Sequence, residues 1–292
     1  MDMPSLFNIS RSTCPATLDL DEWPKPVGSS NDRAPNVTRR PGDGTTRFER
    51  LPTYWLPAHV YTCHVPGGTV FLDLRRNRYL GVGEAETQTL QRHVANWQDA
   101  TLDLERDSFN ESTARHILDA LVESALLQTE SECSRIFSST STGLQEARHG
   151  LETVRASHRS IRAPDLWRFL RSCLWAHCIL RTSSLYDAAH AIEDFRQTGG
   201  SILSPADPAQ TYRCVQIFRR LRPYVFAAQD RCLFQALALV RFLQYYQTPA
   251  TWIIGVRVRP WAAHSWVQQD ELILDGTPES VREYIPILAV EA

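Results

Sequence analysis

A cysteine thiol becomes a nucleophile at neutral pH when its thiolate is stabilised and a base stands close by. Cys232 meets the first condition. It opens an apolar helical stretch directly after Ala228-Gln229-Asp230-Arg231, so backbone N–H groups and the positive end of the helix dipole are expected to face its sulfur. The base must come from elsewhere, and His264, flanked by Ala263 and Ser265 in a later strand-like run, is the candidate. If Gln269-Asp270 form a two-residue turn, His264 stands directly opposite Asp275; if the turn slips by one residue on each strand, Asp275 stays a diagonal neighbour on the same face. A carboxylate facing an imidazole fixes its tautomer and stabilises the imidazolium, so Cys232, His264 and Asp275 read as nucleophile, base and orienting acid. The Cys232 N–H and the Gln229 side chain are the local oxyanion donors that acyl chemistry needs. Trp252, Trp261 and Trp266 either line a substrate groove or pack the sheet.

These residues need a helix and an antiparallel sheet to hold them. Between about 232 and 246, Leu233, Ala236, Leu237, Leu239, Val240 and Leu243 cover most of the circumference, which predicts a buried helix. Three strands should follow: Trp252, Ile254, Val256 and Val258 alternate, then come Ala262 to Gln268 and Leu272 to Asp275. Helices are expected before them at about 165–181, 184–196 and 209–222. This gives an α+β unit at 163–292.

A smaller unit is expected at 53–129. Its runs His59 to Val65, Val70 to Leu74 and Tyr79 to Val82, separated by Pro66-Gly67-Gly68 and Arg76-Asn77, predict an antiparallel meander. Helical spacing follows at Leu90, Val94 and Trp97, and again at Ile117, Leu118, Leu121, Val122, Ala125 and Leu126, with Asn110 as N-cap of the second helix. Three short strands followed by helices predict a winged-helix module. Residues 1–52, rich in Pro, Ser, Thr, Asn, Asp and Arg, read as a disordered extension, and 130–162 as a linker with a short helix at Leu151 to Val154.

Composition narrows the chemistry. Hydrophobic residues make up 43% and charged residues 22% of the 292, inside the globular range. Among 31 basic residues only Lys25 is a lysine, which removes the P-loop lysine, the kinase strand lysine and a Schiff-base lysine unless this proline-flanked residue supplies one. The net charge of −2 argues against whole-molecule binding to nucleic acid or to anionic membrane. With no basic-then-apolar signal sequence and no run approaching 18 apolar residues, a cytoplasmic address is expected. The seven cysteines form an odd set without a CxxC pair, which suits reduced thiols. Cys173, His177 and Cys178 fall short of a four-ligand metal set and read as a helix face, so no metal and no cofactor are expected.

Through Cys232-Leu233-Phe234-Gln235-Ala236-Leu237-Ala238-Leu239, Trp252-Ile253-Ile254-Gly255-Val256, Ala263-His264-Ser265-Trp266-Val267 and Leu274-Asp275-Gly276, the chain resembles the lasso-peptide B proteins, leader peptidases with a transglutaminase-like, papain-type fold. The resemblance covers about 165–292 and implies the same triad, Cys232, His264 and Asp275. The family often carries Arg-Ser where this chain has Gln235-Ala236. The first unit resembles the PqqD-like leader-recognition element of fused B proteins. That implies a leader peptide adding as a strand along Tyr79, Leu80, Gly81 and Val82 and held by the last helix, at Ile117 and Leu121. The implied activity is removal of the leader from a ribosomal precursor, whose freed amine passes to a partner ATP-dependent lasso cyclase. Two rival classes remain: an acyltransferase or transglutaminase using the same triad, and a non-catalytic peptide-recruiting module.

Overall fold

The computed structural model describes residues 7–9, 53–97, 111–130, 144–151, 160–198, 207–225 and 232–292. In the first unit, β2 (Val60–Val65), β3 (Gly68–Asp73) and β4 (Arg78–Gly83) form the expected meander. The first turn needs its glycines, with Gly67 at φ +94° and Gly68 at φ +152°, and a Cβ on Gly68 would lie 1.9 Å from the Val82 carbonyl oxygen. In the second turn Asn77 takes the left-handed conformation, and its side chain accepts a hydrogen bond from Leu185 N–H at 2.8 Å. Helices α1 (Glu84–His93) and α2 (Glu111–Glu123) follow; the expected cap Asn110 lies outside the described residues.

One strand was not expected. Within the segment read as a disordered extension, Phe7–Ile9 form β1, which pairs antiparallel with the outer edge of β4 and gives the sheet order β1-β4-β3-β2. The rest of residues 1–52 lies outside the described residues.

Every residue of β3 is buried because both of its faces are covered. Phe71, with Val82, packs against Leu90, Ile117, Leu118 and Leu121 of α1 and α2. Val70 and Leu72 face the other way and join the core of the second unit. The chain is therefore not two units on a bare linker: Tyr61, Leu72 and Leu74 share one continuous core with Leu185, Leu237 and Ile287. The apolar run Val70-Phe71-Leu72 carries the signal, since a strand with one wet face would alternate.

The second unit places α3 (Ala163–Thr182), α4 (Leu185–Thr198), α5 (Pro208–Leu221) and α6 (Cys232–Gln244) against a sheet of order β5-β8-β7-β6-β9. Its strands are β5 (His149–Gly150), β6 (Thr251–Val258), β7 (Trp261–Gln269), β8 (Leu272–Ile273) and β9 (Ile285–Glu291). Two of them depart from expectation. β5 comes from the segment read as a linker and pairs parallel with β8, and Leu151 beside it is buried in the core. β9 was missed; it pairs with β6, and a register shift between Ile254 and Gly255 sets Gly255 against Pro286. Proline belongs at such an edge, where its lack of an N–H costs no ladder bond. A short helix, α7 (Pro278–Val281), leads into β9.

α6 packs against α3, α4 and α5 on one side and β6 and β7 on the other, which explains its nearly all-round apolar surface. Among the described residues no helix is long and apolar enough to cross a membrane.

Candidate active site

Cys232 is the first residue of α6 and is half-buried. A cysteine in the first turn of a helix lies near the positive end of the helix dipole, the surroundings that favour a thiolate. Gln229 lies outside the described residues. The expectation of reduced thiols holds for Cys63, Cys173, Cys178 and Cys214 but not for Cys232, which is disulfide-bonded in this structure. A nucleophilic thiolate at Cys232 is therefore reached by reduction. Cys173 faces the core, where burial pushes its thiol up to about 12, whereas Cys178 is exposed on the same helix.

The hairpin that carries His264 and Asp275 adopts the slipped register. Gln269 pairs with Leu272 and Gln268 with Ile273, so the turn residues are Asp270 and Glu271 rather than Gln269 and Asp270. The reason lies in the backbone: Asp270 takes φ +50°, a conformation that aspartate tolerates better than most residues. Continuing this register sets Trp266, not His264, level with Asp275.

β8 ends before Asp275, and the side chain completes what the backbone leaves open. Leu274 N–H donates to the Val267 carbonyl at 2.9 Å, while Val267 N–H donates to Asp275 Oδ1 at 2.9 Å. The carboxylate thus replaces a ladder acceptor and is fixed in place. Burial pushes its pKa up to about 6, against the lowering effect of the Val267 N–H and of the Arg222 and Arg219 charges. Arg219, Arg222, Pro223, Asp275 and Gly276 line an open cleft of about 410 Å³ at the C-terminal end of α5. The two arginines were not singled out from sequence; the run Arg219-Arg220-Leu221-Arg222 at the end of a helix was their only signal.

His264 lies on the other side of the sheet from α6. Its ring stacks on Trp266, with centroids 6.0 Å apart, and lies 5.2 Å from Tyr284. These two rings belong to the small cluster formed with Ile253, Ile273 and Ala289. Trp252, Ile254, Val256 and Val267 project to the opposite face, into the core that holds α6. Gly255 makes room for the stack, since a Cβ there would lie 2.8 Å from the Trp266 ring. Burial lowers the His264 pKa, so the imidazole is neutral at pH 7. Among the described residues no ion pair or hydrogen bond joins His264 to Asp275. Trp252 packs in the α6 core and donates its indole N–H to Ser265 Oγ at 2.8 Å.

The structure places the expected peptide-binding residues on the β4 strand and behind it. Tyr79 and Leu80 are half-buried, Gly81 and Val82 buried. Ile117 and Leu121, expected to hold a leader, sit in the helix–sheet core with 4% and 0% exposure, so they support β4 from behind rather than line a surface. β1 runs along the outer edge with Phe7 opposite Gly81, Asn8 opposite Leu80 and Ile9 opposite Tyr79. At the Ile9 end, the Tyr79 ring meets Trp261, the first residue of β7, with centroids 5.6 Å apart. A peptide lying on β4 with the polarity of β1 therefore sends its C-terminal part toward the start of the strand that carries His264.

Residues 173–289, from the middle of α3 into β9, match the family described as the transglutaminase-like superfamily. That superfamily includes cysteine peptidases and acyltransferases. No curated protein and no solved structure matches the chain.

Proposed function

We propose that this protein is a cysteine leader peptidase that binds a ribosomally made lasso-peptide precursor through a PqqD-like first unit and cuts it with a Cys232-His264-Asp275 triad. The observation that carries this reading is the polarity of β4: an extended segment pairs with its edge, and the C-terminal end of that segment leaves beside Trp261. A leader docked in this way delivers the residues after it to the transglutaminase-like domain.

In the reaction, the Cys232 thiolate attacks the scissile carbonyl and the α6 N-terminal N–H stabilises the oxyanion. His264 takes the Cys232 thiol proton as the thiolate forms and passes it to the leaving amine as the C–N bond breaks. Water then hydrolyses the thioester, releasing the leader acid and restoring the thiol. Asp275 orients the imidazole. Assembly of this triad requires the His264 ring to leave the Trp266 and Tyr284 stack and turn toward the α6 end of the sheet. The freed amine of the core peptide then passes to a partner ATP-dependent cyclase in the cytoplasm.

The separation of His264 from α6 across the sheet favours a second reading, a peptide-recruiting module without catalysis. The two part under one experiment. A synthetic lasso-type precursor peptide is incubated under reducing conditions with wild type or Cys232→Ala and analysed by mass spectrometry. The peptidase reading expects cleavage by wild type and binding without cleavage by the variant; the recruiting reading expects binding by both and cleavage by neither.

A further inference from the structure

An unpaired sheet edge presents a row of N–H and C=O groups that another extended chain can take. Without β1, β4 would be such an edge, and the structure shows what takes it: the chain's own Phe7–Ile9, on the strand where the proposed function seats the precursor leader. The sequence offers these residues no place in a core, because they stand in a polar, proline-containing stretch more than forty positions before the first unit.

We infer that the β4 edge is a binding site for one extended peptide at a time and that Phe7–Ile9 is its resident occupant, which any incoming peptide must displace. This inference rests on the proposed function only for the identity of the displacing peptide. Occupancy by the chain itself rests on the pairing alone.

The physical logic is competition. A three-residue edge strand is weak as a free peptide, but on the same chain it acts at an effective concentration on the order of millimolar. The apparent affinity for an incoming peptide is then its intrinsic affinity scaled by the fraction of molecules with a free edge. Only a peptide that gains more than three ladder pairs, or adds side-chain contacts, wins the edge. β1 would thus set a threshold that rejects short or poorly matched extended segments. A displacing peptide that runs in the direction of β1 would exchange by strand replacement along β4 without rearranging β3.

The test uses the full chain with Asn8→Pro or Ile9→Pro. Neighbouring residues of a strand point their N–H groups to opposite sides, so one of these two substitutions removes a donor into β4, and both oppose the extended pairing. Two labelled probes are titrated under reducing conditions: a synthetic peptide of this chain's own residues 3–13, and the leader of a lasso-type precursor peptide. The peptide of residues 3–13 should bind the more disruptive variant at least tenfold more tightly than wild type. Backbone amides of β4 should also exchange faster with deuterium in that variant while the Tm stays within a few degrees. Equal binding of this peptide to wild type and both variants, with unchanged exchange at β4, would overturn the inference. The leader separates the two ideas: if it binds wild type and variants equally, the resident-occupant inference fails and the peptidase reading survives. If the peptide of residues 3–13 distinguishes the proteins and the leader binds none of them, occupancy by β1 stands and the leader-recognition reading fails.

Discussion

Asp275 carries the sharpest consequence of its surroundings at the scale of single residues. Its folded pKa of about 6 lies above the ordinary aspartate value of about 3.9, so between those pH values the unfolded chain loses a proton that the folded chain keeps. Stability is therefore expected to fall as pH rises from about 4 to about 6 and to level off above that. The cost is on the order of 2 kcal/mol, reduced by partial solvent access. Urea titrations of wild type and Asp275→Asn across this window check it, the variant giving the flatter profile. Activity should move the other way, because an orienting carboxylate must be ionised, so kcat/KM should rise as pH passes through about 6. Gly255 makes a second residue-scale prediction. Gly255→Ala forces Trp266, and with it the stacked His264, out of place; overpacking of this kind costs about 1–3 kcal/mol, measurable as a lower urea midpoint. The helix that carries Cys232 was legible because apolar residues cover most of its circumference. The partners of Asp275 were not, because Arg219 and Arg222 reach it from a distant helix and no local spacing encodes that approach.

Regular elements were the most legible part of the chain. Helices α3 to α6 and strands β2 to β4, β6 and β7 form where apolar period and turn residues placed them, within a few positions. The failures share a cause: β1, β5 and β9 exist through pairing rather than pattern. β5 is two residues long and β9 reads Ile285-Pro286-Ile287-Leu288-Ala289-Val290, an apolar run broken by a proline and lacking alternation. The β7–β8 register stayed open between two alternatives for a related reason, because a glycine-free turn leaves it to a single left-handed residue, Asp270. In the first turn, by contrast, Gly68 is irreplaceable. Gly68→Ala would drive a Cβ into the Val82 carbonyl at a backbone angle that side chains rarely adopt, at a cost of at least about 2 kcal/mol. Thermal unfolding should show a clear drop in Tm, and because β4 is the displaced strand, peptide affinity should fall with it.

For the whole molecule, the fusion of the two cores gives the arrangement its meaning. The meander is buried against the second unit through Tyr61, Leu72 and Leu74, and Leu74 accepts a hydrogen bond from Tyr186 N–H at 3.1 Å, so under the proposed function a peptide on β4 would arrive in one orientation. The β4 edge is held in fixed relation to β7, with the Tyr79 and Trp261 rings as the joint. Sequence pattern showed two units and the order of their elements. The hint of a shared core was the unalternating run Val70-Phe71-Leu72, which marks a strand buried on both faces but does not say what covers each face.

The central claim is that Cys232 cuts a peptide delivered along β4, and one measurement tests it most directly. A synthetic lasso-type precursor peptide is incubated with wild-type protein, with and without reductant, and with Cys232→Ala in reductant, and its mass is followed in time. The account predicts loss of the leader by reduced wild type, a much slower reaction without reductant because Cys232 is disulfide-bonded, and an intact precursor with the variant. Equal cleavage by wild type and Cys232→Ala, or an intact precursor bound by both reduced proteins, would contradict it.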